Sequence, residues 1–183
     1  MTWAGRLLVA TPGLTDDNFA RTVVQLLQHD PDEGAMGVVV NRPSLTPVRD
    51  VLPGWALLAP EPVLVFVGGP VEPSSAICLA QLAPGAPERE SYLAVPGAPW
   101  LGTVDLDEEA AEAVEQVRLF AGYAGWSAGQ LEAEVERGDW WVFDGLPGDC
   151  FAEHPERLWS QVLKRQGLPL SLAASFPADP SLN

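Results

Sequence analysis

The sequence predicts an α+β fold built on a mixed, partly antiparallel sheet, and three observations carry that prediction. Two β-rich runs, 21–29 (RTVVQLLQH) and 35–41 (AMGVVVN), flank a polar five-residue connection ending in Gly34, which is hairpin chemistry. Further apolar runs, such as 62–67 (PVLVFV), alternate with segments of helical pattern, so strands occur both in hairpins and between helices. No repeat or linker divides the 183 residues, a length that buries a core unaided, so one globular domain is expected over 1–183.

Taken in order, residues 5–10 (GRLLVA) read as a buried strand stopped by Thr11-Pro12-Gly13, with Asp16-Asp17-Asn18 continuing the loop. After the hairpin, Asn41-Arg42-Pro43 ends the second strand. Thr46 and Pro47 then read as N-cap and first position of a short helix, 47–52, that Pro53-Gly54 stops. Strands are expected at 62–67 and 76–79, variable surface structure over 83–99 with a strand near 91–95, and a further strand at 101–104. Asp107 caps an expected helix through residue 114 whose first turn is acidic, as the helix dipole favours. A strand at 117–123 leads into a turn at Gly125-Trp126. Ser127 then reads as N-cap, with Gln130 at capping-box spacing, of a helix over 128–137 that closes at Gly138. Residues 139–143 (DWWVF) read as a strand, 155–166 as an amphipathic helix closed by Gly167, and 176–183 as a frayed tail.

The balance of 25 acidic to 10 basic residues sets a formal net charge of −15 and a pI near 4.2. Nucleic-acid binding needs a cationic face that releases counterions, so this charge argues against a nucleic-acid partner. Apolar runs fall far short of the roughly 18 residues of a membrane span, and the first residues lack a signal-peptide apolar core, so a cytoplasmic protein without membrane contact is expected. Cys78 and Cys150 match no zinc or redox spacing and read as reduced, buried thiols. His29 and His154 lie far apart with no paired cysteines, so neither a metal site nor a cofactor is expected.

Residues 120–134 (FAGYAGWSAGQLEAE) hold the densest constrained run and admit three readings. Gly125-Trp126-Ser127-Ala128-Gly129 satisfies G-x-S-x-G, and Asp139, Asp144 or Asp149 followed by His154 completes the chain order of a serine hydrolase using Ser127 and His154. As a binding site, Gly122, Gly125 and Gly129 leave backbone N–H groups approachable near Gln130, and Tyr123 and Trp126 offer stacking faces, which suits a small anion or nucleotide. As structure, the same glycines permit tight packing, the aromatics are core, and Ser127 is a cap. Arg21, set among apolar residues, calls for a carboxylate partner such as Asp16 or Asp17. Together with Asn41 it is a candidate for a structural or binding role.

Five ordered motifs resemble the YqgE/AlgH family along nearly the whole chain: Gly5-Arg6-Leu7-Leu8-Val9-Ala10 with Pro12; Phe19-Ala20-Arg21-Thr22-Val23-Val24 through His29; Gly34-Ala35-Met36-Gly37 into Asn41-Arg42-Pro43; Gly68-Gly69-Pro70-Val71; and Gly122-Tyr123-Ala124-Gly125-Trp126 with Gly129-Gln130-Leu131-Glu132. The resemblance implies a branched mixed sheet with a small barrel-like part, surrounded by helices. It also implies a label of transcriptional regulator, drawn from a link to alginate regulation in one member, and no established enzymatic activity. It places other small residues or Pro at the position of Ser127, which weakens the nucleophile reading. The resulting expectation is a non-enzymatic protein that binds a partner protein or small ligand around residues 122–130 with a regulatory role. A hydrolase and a direct DNA-binding regulator are the alternatives.

Overall fold

A computed structural model describes residues 2–82, 92–105 and 114–176. Its framework is an open sheet in the order β10-β1-β2-β3-β9-β6-β8-β7, with a branch in which β4 pairs β5 and β5 pairs β9. The strands are β1 (Arg6–Ala10), β2 (Val23–Asp30), β3 (Gly34–Val39), β4 (Pro43–Pro47), β5 (Leu64–Val67), β6 (Val71–Leu82), β7 (Tyr92–Val95), β8 (Ala98–Val104), β9 (Val114–Trp126) and β10 (Trp140–Asp144). Helices are few: α1 (Val48–Val51), α2 (Gln130–Arg137), α3 (Pro155–Lys164) and α4 (Leu170–Ala173).

The mixed, branched character is as expected: β5 runs parallel to β9, and the other pairings are antiparallel. The barrel-like part is corrected, because β10 and β7 end the sheet without pairing to each other. The expected hairpin within 21–41 forms as an antiparallel pair, with Val24 opposite Val39 and His29 opposite Ala35. Its turn is tightened by Asp30 Oδ1, which accepts the Asp32 N–H at 2.8 Å.

Two expectations about local structure are overturned, both by pairing. Residues 43–47 form β4 instead of leading directly into a helix, and Pro47, with extended φ −65° and ψ 139°, precedes α1 without any side-chain cap from Thr46. A residue before proline is pushed toward extended backbone, and prolines lacking N–H groups suit a strand with only β5 beside it. Likewise β9 runs straight through Gly125 and Trp126, because β3 supplies partners there: Ala35 opposite Trp126 and Met36 opposite Gly125. The expected helix from Asp107 lies outside the described residues up to Val114, which begins β9, and the tail beyond Phe176 lies outside them as well.

Period-2 alternation in β1 explains its continuous apolar run. Leu7 and Val9 enter one core cluster with Leu158, Trp159, Val162 and Leu163 of α3, while Leu8 and Ala10 enter another with Leu131 of α2, Trp126 and Trp140. Each large apolar side chain that α3 buries contributes about 1.5–3 kcal/mol. Trp159 Nε1 also donates to the Ala10 carbonyl at 2.8 Å, tying the helix to β1.

Both cysteines are free and buried, as expected. Burial pushes the Cys78 thiol up to about 12, and burial, then the charge of Asp149, pushes Cys150 upward too. A thiol raised on folding stabilises the native state below its unfolded pKa, and that contribution is lost as pH climbs toward the native value. Accordingly, neither thiol should react with an aromatic disulfide reagent at pH 8 in the native protein, and both should titrate in denaturant. Rapid native labelling would show that the core around β6 or residue 150 opens readily.

Candidate functional site

The end of β9, the reversal after it and α2 form the site. Ser127 is not the helix N-cap. Gly129 holds that position at φ 70°, a left-handed conformation that suits glycine, and no side chain caps it. Half of the expected capping box survives at Ser127, two residues before that N-cap, where Gln130 Oε1 accepts both the Ser127 N–H (3.0 Å) and the Ser127 hydroxyl (3.2 Å). Gly138, at φ 84°, closes α2 as expected.

Glu134 organises what lies beneath. Its Oε2 accepts Trp126 Nε1 at 2.8 Å and Trp140 Nε1 at 2.9 Å, while Oε1 accepts Gln130 Nε2 at 2.9 Å. The two indoles meet edge to face at 6.0 Å, and Phe19 packs against both. Over this floor lies a groove of about 290 Å³, whose lining includes Asp16, Phe19, Gly125, Trp126, Gln130 and Glu134. Gly125 is exposed, and a Cβ there would lie 3.5 Å from the Tyr123 ring, an ordinary contact.

The remaining candidates fall elsewhere. Gly122 is buried at φ 71°, with the carbonyls of Gly69 and Val71 where a Cβ would sit, so it serves the seam between β9 and β6. Tyr123 packs against the first core cluster and Trp126 inside the second, so the two rings do not converge on one ligand. Gly129 is exposed, but its N–H donates to the Pro31 carbonyl at 3.1 Å, and the Gln130 N–H to the Ser127 carbonyl at 3.0 Å. The amides that the anion reading relied on are therefore engaged within the protein.

Arg21 is corrected as well. Its guanidinium lies 4.1 Å from the centre of the Trp159 ring and donates to the Phe176 carbonyl, a cation–π contact in place of the expected carboxylate. The arginine beside Asp16 and Asp17 is Arg42, whose pKa burial lowers and those two carboxylates raise. The deeply buried guanidinium is Arg118 of β9, which is 1% exposed and donates to the carbonyls of Pro62, Glu61 and Ala152. Burial brings its pKa down to about 10. Asn41 is structural: Oδ1 accepts the Val23 N–H at 2.9 Å and Nδ2 donates to the Arg21 carbonyl at 3.0 Å, fixing the start of β2.

The hydrolase geometry does not assemble. Ser127 Oγ is held by Gln130, while the exposed His154 sits 3.5 Å from Glu156 at the start of α3. The three acids of the triad reading face arginines instead: Asp139 with Arg137, Asp144 with Arg6, and Asp149 with Arg165.

Sequence reasoning missed Glu134, Phe19 and Trp140 as parts of the site. The spacing of Gln130 and Glu134, one helical turn apart, was the available signal for the first. It also missed a larger open cleft of about 650 Å³ on whose wall Trp126 also lies, at the turn end of the β2–β3 hairpin.

An α+β protein with a branched open sheet, whose long β9 joins its two halves, is the class these features define. The DUF179, AlgH-like family model matches residues 7–171, and the chain belongs to that family. It is 50% identical to a Streptomyces avermitilis protein designated UPF0301, covering 98% of this chain and 94% of the relative, and 51% identical to one from Streptomyces coelicolor with the same coverage. Among solved structures it is similar to a Corynebacterium diphtheriae protein, at 33% identity and TM-score 0.88 over 94% of this chain and 91% of that one. It is also similar to the AlgH protein of Pseudomonas aeruginosa, at 30% identity and TM-score 0.66 over 94% and 93%.

Proposed function

We propose that this chain is a non-catalytic cytoplasmic protein that binds a small ligand in the groove at Gly125 and passes that binding on to a regulatory partner. The observation that carries the reading is the contrast within the groove. Its floor is locked by Glu134 and two indoles, while its wall at Gly125 is bare, exposed backbone. Such a pre-organised concavity loses little on binding. Asp16, Glu134 and Asp139 line it, and Arg137, the one arginine among its described lining residues, is already paired with Asp139 at 2.7 Å. These walls favour a neutral or cationic hydrogen-bond donor over the anion suggested by the helix start. With a net charge of −15, regulation runs through the ligand or a protein partner and not through direct contact with DNA. Among the described residues no helix is long and apolar enough to cross a membrane.

The test is Gly125→Gln. Because the position is exposed and a Cβ there meets only Tyr123 at 3.5 Å and Val71 at 3.8 Å, the variant should fold with stability within about 1 kcal/mol of wild type while its side chain covers the bare backbone of the groove's wall. A thermal-shift screen of small amines and amides should find a compound that stabilises the wild type, by about 2.7 kcal/mol at a hundredfold excess over Kd, and leaves the variant unmoved. If every stabilising compound acts equally on both proteins, the groove is not the site.

A further inference from the structure

We infer that the larger cleft, on the hairpin side of Trp126, is a docking surface for a basic segment of a partner protein, one that presents an apolar side chain next to a lysine or arginine. The inference is independent of the small-ligand groove. The cleft encloses about 650 Å³ and has three walls: the β2–β3 hairpin through Gln28 to Met36, the N-terminal residues Thr2 and Ala4, and Pro96 of the β7–β8 turn. These walls are tied together. Thr2 Oγ1 donates to the His29 carbonyl at 2.8 Å, the Trp3 N–H donates to His29 Nδ1 at 3.0 Å, and the Trp3 ring stacks on the imidazole at 4.9 Å.

Its lining has two chemistries. Ala4, Ala35, Met36, Pro96 and Trp126 make an apolar floor, and the exposed carboxylates of Asp30 and Glu33 stand at the rim. Among the described residues, no lysine or arginine lines the cleft and neither rim carboxylate has an ion-pair partner. The one imidazole is also spent. With Nδ1 accepting from Trp3, His29 carries its proton on Nε2 and donates it to Glu132 Oε1 at 2.9 Å, and its side chain is 1% exposed. Glu132 therefore adds to the acidity of this side, and among the described residues no cation pairs with it.

Charge complementarity selects the occupant. A second copy of this chain, itself at −15, is repelled, as is any phosphate backbone. A small free cation meets only the rim and leaves the floor wet, whereas a peptide segment covers both, its apolar side chain on Met36 and Pro96 and its cation between Asp30 and Glu33.

The experiment uses the full chain and a fluorescein-labelled hexapeptide of alternating leucine and lysine, read by fluorescence polarisation at physiological salt. Saturable binding is expected. Asp30→Asn with Glu33→Gln should weaken it about tenfold, whereas Glu153→Gln with Glu156→Gln, which removes the same charge from exposed positions before and within α3, should change it by less than about twofold. An alternating glycine and lysine peptide should bind at least about tenfold more weakly, because it cannot use the floor. Gln130→Ala, which alters the small-ligand groove and lies outside the lining of this cleft, should leave peptide binding unchanged, which separates the two surfaces. The inference is overturned if the peptide does not bind, if both charge-removed pairs weaken it equally, or if the glycine peptide binds as well as the leucine one.

Discussion

Gly122→Ala is expected to destabilise the protein by about 3–5 kcal/mol, while Gly125→Ala, three residues along the same strand, shifts it by less than about 1 kcal/mol. The asymmetry follows from the backbone. At φ 71°, Gly122 sits in a conformation that costs an L-residue about 1–2 kcal/mol. A Cβ there would also lie 2.7 Å from the Gly69 carbonyl oxygen and 2.8 Å from that of Val71. Those obstacles are backbone atoms of the segment leading into and starting β6, and they cannot rotate away as a side chain could. The β6–β9 pairing is irregular between Val71 and Ala76, so the seam has little slack. Gly125 has no positive φ, and the nearest atom to its Cβ position belongs to a ring edge at 3.5 Å. Denaturant unfolding of the two variants measures the difference directly. Equal stability would show that the seam relaxes around the methyl group, and the structural assignment of Gly122 would be lost.

Glu134→Leu carries the second large effect, about 3–5 kcal/mol of lost stability. Both indole N–H groups that Glu134 accepts belong to buried tryptophans, and each buried donor left without an acceptor costs roughly 1–3 kcal/mol. Gln130 Nε2 loses its partner too, but it is exposed and finds water, so it adds little. Glu134→Gln keeps an acceptor oxygen in place and should recover more than half of the loss. Equilibrium unfolding followed by tryptophan fluorescence measures both. A glutamine variant no better than the leucine one would mean that charge, and not the acceptor, holds the tryptophans. Since the same carboxylate forms the floor of the Gly125 groove, the leucine variant should also lose ligand stabilisation.

Much of the sheet was legible because its signals are local. The hairpin from β2 to β3 announced itself through β-branched runs around Asp30-Pro31-Asp32-Glu33-Gly34, and α3 through Leu158, Trp159, Val162 and Leu163 on one face. Gly138, at φ 84°, marked the end of α2 correctly because a left-handed residue there is a requirement of the chain itself, whereas α3 ends at Lys164 with Arg165 as its C-cap, two residues before Gly167. The open edge of the sheet was not legible, since closure depends on whether two distant strands meet. Among the arginines, Arg21 and Arg118 carry the same local signature, a guanidinium amid apolar residues. The first ends on the face of Trp159 and the second in a cage of carbonyls.

The stretch at Gly122 to Gln130 separates the two kinds of information. Its composition supplied one of the five motifs that carry the family resemblance, and it was enough to foresee a strand leading to a helix and to flag glycines with conformational work to do. It placed the turn three residues too early and offered Ser127 as a cap or nucleophile, because a glycine-tryptophan pair looks like a reversal until a partner strand is known. Pairing with Ala35 to Gly37 keeps Gly125 and Trp126 extended, moves the reversal to Gly129 and leaves Ser127 bonded to Gln130. Local chain preferences amount to about a kcal/mol or less per residue. Strand pairing and the burial of Trp126 beside Trp140 are worth several times that, and they come from residues distant in the chain or brought round by the α2 turn, so packing settles the contest.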